Sequence, residues 1–321
     1  MKRRKLGRTG LEVSELGFGA WAIGGASYGP TDDRESLRAL EYAFDQGLNF
    51  FDTADTYGHG HSEELIGQAF KASSKRRQVL IATKVGWDFY HGGDRQNFDA
   101  DYIRFACGES LKRLKTDCVD LYQLHNPTLE TIEDGKVFRV LDELKKEGKM
   151  RFWGVSIHLV EEGVAVIGEG SSSTVQAVYN LLDQRIRSEL MPLCEKHNIG
   201  LIVREPLACG LLTGTYTAES RFVKTDHRNR WSSEKLETDF RKIERMRGVF
   251  DEGRVLLKQA AIEFVLDERA VSVVIPGIKT IAHVQDHLRA VREPKLEPQE
   301  IDQMKSLFQE DELFQIGLYR N

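Results

Sequence analysis

Residues 48–70 read LNFFDTADTYGHGHSEELIGQAF: a short apolar run, a polar loop holding Asp52, Asp55, Tyr57, His59 and His61, and then a segment with helical spacing. The same order recurs along the chain. Apolar, aromatic or β-branched runs stand at ELGFGAW (15–21), LNFFDTA (48–54), VLIATKV (79–85), VDLYQLH (119–125), MRFWGVS (150–156), STVQAVYN (173–180), IGLIVRE (199–205) and VSVVIPG (271–277). Most are apolar throughout rather than alternating, which is the pattern of parallel strands covered on both faces. Between them lie helical patterns such as Leu37, Leu40 and Phe44 closed by Gly47, and Val137, Val140, Leu141 and Leu144 closed by Gly148, where glycine suits a left-handed C-cap. Eight β-then-α units predict an α/β fold, a (β/α)8 TIM barrel, with residues 1–321 as one domain. The opening RRKL-GRTG-LEVS predicts a β-hairpin ahead of the first barrel strand, placed to plug the barrel floor.

The bulk numbers narrow the partners. With 30% charged residues and a net charge of −5, the chain carries no electrostatic footprint for nucleic acid or an anionic membrane, so a small molecule is the expected partner. MKRR opens like a signal peptide, but no apolar segment follows and no run approaches spanning length, which points to a cytoplasmic protein. The four cysteines, Cys107, Cys118, Cys194 and Cys209, lack any C-x-x-C spacing and are expected as reduced thiols. The stretch from Leu207 to Asp239 has no clear pattern and carries Arg221, Lys224, His227, Arg228 and Arg230. It reads either as a solvated loop or, since it follows a barrel strand, as part of the active face.

On a TIM barrel the chemistry sits where strands end. Asp52 closes the second run, Lys84 the third and His125 the fourth, with Tyr57 in the loop after Asp52. Singly each has a bland reading as a turn cap, a snorkelling lysine, a core histidine or a packed aromatic. Together they make a chemical set. A phenol is too weak an acid to protonate an alkoxide readily at neutral pH unless a cation stabilises its phenolate. Lys84 supplies the cation, Asp52 keeps that lysine charged, and His125 orients a carbonyl, leaving hydride delivery to a cofactor.

The chain resembles the aldo-keto reductases over nearly its whole length, through RKLGRTGLEVSELGFGAW, FFDTADTYGHGHSEELIGQAF, ATKVG, VDLYQLH, GKMRFWGVS, QAVYNLLDQ, PLACGLLTGTY and IPGIK taken in that order. The resemblance implies an oxidoreductase that reduces an aldehyde or ketone with NADP(H), with Asp52, Tyr57, Lys84 and His125 as the catalytic tetrad and Tyr57 as the general acid. It places the nicotinamide carboxamide on Ser156 and Gln176, and further cofactor contacts on Pro206, Leu207, Gly210, Leu212 and Gly277. Lys279 matches the basic residue that meets the 2′-phosphate, with His283, Asp286 and His287 at positions where relatives often carry Gln, Glu and Asn. Two departures stand out. Ile157 and then His158 follow the serine where relatives commonly have Asn, so the usual amide contact is absent or supplied differently. Arg204 occupies the place of the aromatic that stacks under the nicotinamide, where its charge is expected to disfavour the oxidised ring.

GFGAWA (17–22) fits a dinucleotide fingerprint by letter, but no helix pattern follows it. Trp21, with Tyr28 and Trp87, is expected to wall the substrate pocket. Three rival readings remain. H-x-H at His59 and His61 suggests a metal-dependent hydrolase, but it follows the wrong strand and no carboxylate closes strand eight, so no metal is expected; Ser62, Glu63 and Glu64 read as an N-cap and an acidic first helical turn. A Schiff-base aldolase on Lys84 leaves Ser156 and Gln176 without a role. Similar barrels also serve as nucleotide-sensing auxiliary subunits of ion channels, with the tetrad retained. The sequence leaves the oligomeric state and the substrate open.

Overall fold

The computed structural model describes residues 1–317 except Ala26, Ala72, Asp94 and Pro294, so the end of the C-terminal tail, 318–321, expected either in the pocket or at an interface, lies outside the described residues. Two short strands, β1 (Arg3–Lys5) and β2 (Glu12–Ser14), pair antiparallel as the expected hairpin. The eight barrel strands follow: β3 (Phe18–Gly19), β4 (Phe50–Asp52), β5 (Leu80–Val85), then, after a small hairpin β6 (Trp87–Asp88) and β7 (Arg95–Gln96), β8 (Val119–His125), β9 (Met150–Ser156), β10 (Thr174–Val178), β11 (Gly200–Arg204) and β12 (Val271–Ile275). All eight runs read from the sequence are strands of one parallel sheet, each beside its chain neighbour. Backbone bonds from Gly17 N to Val274 O (2.8 Å) and from Gly19 N to Pro276 O (3.0 Å) join its first and last strands, closing the barrel.

That closure explains the glycine-rich GFG. A Cβ on Gly19 would lie 2.8 Å from both the Ile275 and the Pro276 carbonyl oxygens, so only glycine lets the seam form. These glycines serve strand packing rather than a phosphate loop. Leu6 and Val13 of the N-terminal hairpin lie in a buried cluster with Phe50, Ala82, Leu121, Ile202 and Val273, plugging the floor as expected. A second, larger core lies between sheet and helices, and includes Phe51, Ile81, Tyr122, Val155 and Val203, which alternate with the inward set.

Two local expectations are corrected. The helix after β4 spans His61–Ala69 with Gly60 as its N-cap, so Ser62 lies inside it; its hydroxyl instead donates to Ala20 O and accepts from Thr53 Oγ1, both at 2.9 Å. Glu63 and Glu64 do stand in the first turn of that helix, and Glu63 is in addition buried and ion-paired with Arg113 at 2.7 Å. The stretch 207–239 is also more ordered than its sequence suggests, holding short 3-10 turns at Ala208–Thr213 and His227–Arg230 and the start of the helix Ser233–Arg247. Among the described residues no helix is long and apolar enough to cross a membrane.

Candidate active site

Within the barrel the inward positions turn from apolar at the floor to polar at the C-terminal rim. Phe50 is followed by Asp52, Ala82 by Lys84, and Leu121 by Gln123 and His125. Residues two apart on a strand share a face, so each ionisable group stands one or two steps above an apolar one. Parallel register then sets His125 beside Ser156 and Ser156 beside Gln176, forming one polar row across β8, β9 and β10.

The structure brings Asp52, Tyr57, Lys84 and His125 together. Lys84 is fully buried, and its Nζ donates to Asp52 Oδ1 (2.5 Å), Thr53 O (2.7 Å) and Tyr57 OH (3.1 Å). Burial alone would lower the Lys84 pKa, but the Asp52 carboxylate and the Tyr57 oxygen outweigh it and the net shift is upward. The second Asp52 oxygen accepts from Gln123 Nε2 (3.1 Å) and Gln176 Nε2 (2.8 Å). Gln123 is inconspicuous in the sequence because it sits within an otherwise apolar run. Counting back by two from His125 identifies it.

Burial raises the Tyr57 pKa, and the opposing pull of the Lys84 ammonium does not fully offset it. The phenol is therefore neutral and carries a proton to give, with a cation beside it. His125 meets the Tyr57 ring edge-on, centroids 5.8 Å apart. Its pKa lies well below the ordinary value because of burial and then of Lys84, Arg204 and His158. Its Nδ1 is buried without a hydrogen-bond partner, an arrangement that costs less for a bare acceptor than for an N–H, so the ring is neutral with its proton on Nε2.

Trp21 stacks on Tyr57 (5.9 Å) and meets Tyr28 edge-on (5.1 Å). The stretch after β11 completes this wall: His227 packs on both rings, and its backbone N–H donates to Ser27 O at 2.9 Å. Arg228 is buried, bidentate to Asp226, and lies against the rings of Tyr28, Tyr216 and Phe222. The solvated-loop reading holds for Arg221, Lys224 and Arg230, which are exposed, and fails for His227 and Arg228. Trp87 opens the β6–β7 hairpin next to Gly86, where an added Cβ would meet Phe98 and the His125 carbonyl. His59 stacks on Phe89 while His61 bonds Asp33 at 2.8 Å, so the two imidazoles are employed separately. Among the described residues no group of three His, Cys, Asp or Glu is arranged to hold a metal ion.

The residues expected at the cofactor divide. Gln176 Oε1 is buried and unpartnered, and Ser156 Oγ donates to Asn126 Oδ1 at 2.9 Å with its lone pairs left over. Two acceptors in one row fit a carboxamide NH2. Arg204 donates to Ile157 O (3.1 Å) and contacts His158 Nδ1 (3.2 Å), a flat group fixed at the rim beside Pro206 and Leu207. Its positive charge does not stand alone: Glu205 forms a salt bridge with it, which acts against a bias toward the reduced ring. Leu212 is wholly buried in the outer core, and its N–H, like that of Gly210, bonds Leu207 O.

At the strand-eight end, Gly277 is exposed and Lys279 Nζ donates to Tyr28 O (3.1 Å) and Pro30 O (3.0 Å), tying this loop to the one after β3. His283 lies exposed in the first turn of the helix Ile281–Arg292, capped by Thr280. Asp286 is paired with Lys258 and Arg289. His287 is buried against Gly277 O, so it supports the loop rather than presenting a face to a nucleotide.

Similarity to known proteins agrees with this geometry. The Aldo/keto reductase family profile matches residues 15–309. The chain is 32% identical over 314 residues to the oxidoreductase YqkF of Bacillus subtilis (strain 168), covering 97% of this chain and 98% of that one. It is 37% identical over 239 residues to the NADH-specific methylglyoxal reductase of Escherichia coli (strain K12), covering 68% and 71%. It is also 31% identical over 323 residues to an Arabidopsis thaliana protein named "Probable voltage-gated potassium channel subunit beta", covering 96% and 97%. Among solved structures, the holo form of aldo-keto reductase AKR11C1 from Bacillus halodurans superposes with a TM-score of 0.79 at 31% identity, covering 96% of each chain. A closed eight-stranded barrel, the four groups gathered at its rim and matches along nearly the entire length lead to one conclusion: this chain belongs to the aldo/keto reductase family.

Proposed function

We propose that the protein reduces an aldehyde or ketone to an alcohol with NADP(H), using Tyr57 as the general acid. The observation that carries this reading is the Tyr57 hydroxyl held 3.1 Å from a fully buried Lys84 ammonium, itself 2.5 Å from Asp52. When bound, the reduced nicotinamide supplies the hydride. Tyr57 gives its proton to the oxygen on which charge develops, and Lys84 stabilises the phenolate that remains. Asp52, held by Gln123 and Gln176, keeps Lys84 charged through the step. His125, neutral and with Nε2–H available, donates to the carbonyl oxygen and positions it. Trp21, Tyr28 and His227 exclude water from one side of the pocket.

NADP(H) is favoured over NAD(H) by Lys279 and His283 at the N-terminus of a twelve-residue helix, a setting that suits a phosphate. The name of the Escherichia coli relative makes that choice the first to measure. A second reading, a nucleotide-binding regulatory subunit, is motivated by the Arabidopsis relative. Cofactor-dependent turnover separates the two, followed by size analysis with candidate partners.

The test is NADPH and NADH consumption across a panel of aldehydes and ketones, for the native protein and Tyr57→Phe. The variant is expected to lose turnover by about 10²–10⁴-fold, the usual worth of a positioned acid, while binding the cofactor as before. Full turnover in the variant would overturn the acid assignment.

A further inference from the structure

A carboxamide presents two N–H donors and one carbonyl acceptor, so its receptor needs two acceptors and one donor. The polar row on β8–β10 supplies the two acceptors in Gln176 Oε1 and Ser156 Oγ. The donor is missing from the expected place. Ile157, which follows Ser156, is buried in the apolar core, and its backbone N–H is spent on Gln176 O at 2.9 Å.

The neighbouring donors are also committed. Lys84 Nζ uses its hydrogens on Asp52, Thr53 O and Tyr57, and Gln123 and Gln176 direct their Nε2 groups at Asp52. Arg204 is engaged by Glu205, Ile157 O and His158. The Tyr57 hydroxyl and the His125 Nε2–H are the donors reserved for the substrate carbonyl, and among the described residues the row holds one further side-chain donor, next to Ser156. Asn126 follows His125 in a left-handed conformation (φ 57°), which asparagine tolerates better than most residues. Its backbone is fixed on both sides, N–H to Ser156 O at 2.9 Å and C=O from Gln96 Nε2 at 2.8 Å. Its Oδ1 takes the Ser156 hydroxyl proton, and its Nδ2 makes no hydrogen bond. Fixing Oδ1 on Ser156 leaves the amide nitrogen as an uncommitted donor next to Ser156, whose strand neighbour is Gln176.

We propose that Asn126 is a nicotinamide-binding residue, its Nδ2 donating to the carboxamide oxygen while Ser156 and Gln176 accept from the carboxamide nitrogen. It takes over, from the end of β8, the contact that an amide after the strand-five serine commonly provides. The assignment rests on the reading that this site takes a nicotinamide dinucleotide, and it makes Asn126 a determinant of how that ring is held.

Isothermal titration of the full chain with three probes tests it: NADPH, its 3-acetylpyridine analogue, which keeps the carbonyl but replaces NH2 by methyl, and 2′-phospho-ADP-ribose, which lacks the nicotinamide. Asn126→Gly removes the side chain at a backbone angle that glycine adopts without strain. It is expected to weaken NADPH and the acetylpyridine analogue by the same factor, about five- to tenfold, as for one lost hydrogen bond, and to leave 2′-phospho-ADP-ribose unchanged. Asn126→Asp, which sets a charge and only acceptors against the carbonyl, is expected to weaken the first two at least as much. Unchanged NADPH affinity in Asn126→Gly, or an equal loss for 2′-phospho-ADP-ribose, overturns the assignment while the functional reading stands. A native protein that binds no nicotinamide dinucleotide overturns both.

Discussion

Replacing Asp52 by Asn tests the charge arrangement at its most sensitive point. Lys84 is fully buried, and of its three acceptors only Asp52 is a carboxylate. The carboxylate receives donors on both oxygens, Lys84 on one side and the Gln123 and Gln176 amides on the other. An amide has one acceptor and one donor end, so whichever way the introduced side chain turns, donor faces donor. The least costly response is for Lys84 to lose its proton. An unpaired buried charge costs about 3–5 kcal/mol, which at about 1.4 kcal/mol per unit places the Lys84 pKa of the variant roughly 2–4 units below its ordinary value. In the native protein that pKa is raised above 10.5, so the pair's contribution is fully present below about that pH and is lost only as pH climbs through the folded value. In the variant the sign reverses: between the lowered pKa and 10.5 the unfolded chain binds the extra proton, and stability rises with pH. Urea denaturation of both proteins from neutral to alkaline pH is the assay. The stability gap is expected to be largest near neutrality and to narrow by about 3 kcal/mol over two alkaline pH units, at about 1.4 kcal/mol per unit for one proton. A gap independent of pH would refute the reasoning, because Lys84 would then have kept its charge without its carboxylate.

Other changes probe the surroundings. Asp55 is buried with neither carboxylate oxygen hydrogen-bonded, and burial followed by Glu63 pushes its pKa well above the ordinary value. A carboxyl with a raised folded pKa loses stability as pH rises above its unfolded value. Asp55→Asn is therefore expected to gain stability relative to the native protein from pH 4 to pH 7, and a denaturation series showing no such trend would count against a neutral Asp55. Gly67 sits where two helices meet, and a Cβ there would lie 2.2 Å from Arg113 O. Gly67→Ala is expected to cost at least about 1–3 kcal/mol, as overpacking does, despite alanine's better helix propensity; an unchanged thermal midpoint would show that the helices separate freely.

Much of this architecture is legible because strands covered on both faces are apolar along their whole length, and each of the eight runs is a barrel strand. The gathered polar groups are legible for a related reason: Asp52, Lys84 and His125 interrupt or end such runs, and a polar residue there is conspicuous. What escapes depends on backbone turns or distant partners. Ser62 looks like an N-cap, but Gly58, His59 and Gly60 all take positive φ and wind the chain into the helix before it. Arg228 looks solvated until Tyr28, two hundred positions earlier, is laid against it. Glu205 stands next to Arg204 in the sequence, yet its salt bridge forms at a positive φ of 56° that no spacing rule reveals. Asn126 likewise follows a strand end like any loop residue until its left-handed backbone brings it to Ser156.

Gln176 shows why the two halves of the site are better regarded as one. Its amide nitrogen is directed to Asp52 and Gln123, on the side that keeps Lys84 charged, while its carbonyl oxygen is left for a ligand. A flat side chain fixed at one end by a buried carboxylate cannot swing at the other, so the group proposed to receive the nicotinamide is held by the same bonds that set the proposed proton donor. Loss of Asp52 is therefore expected to loosen cofactor placement as well as Lys84, because contacting groups of this kind act together rather than additively. Register makes the coupling possible: Gln176 lies beside Ser156, and Ser156 beside His125, so the proposed orienter and cofactor contacts occupy successive strands whose spacing the barrel itself fixes.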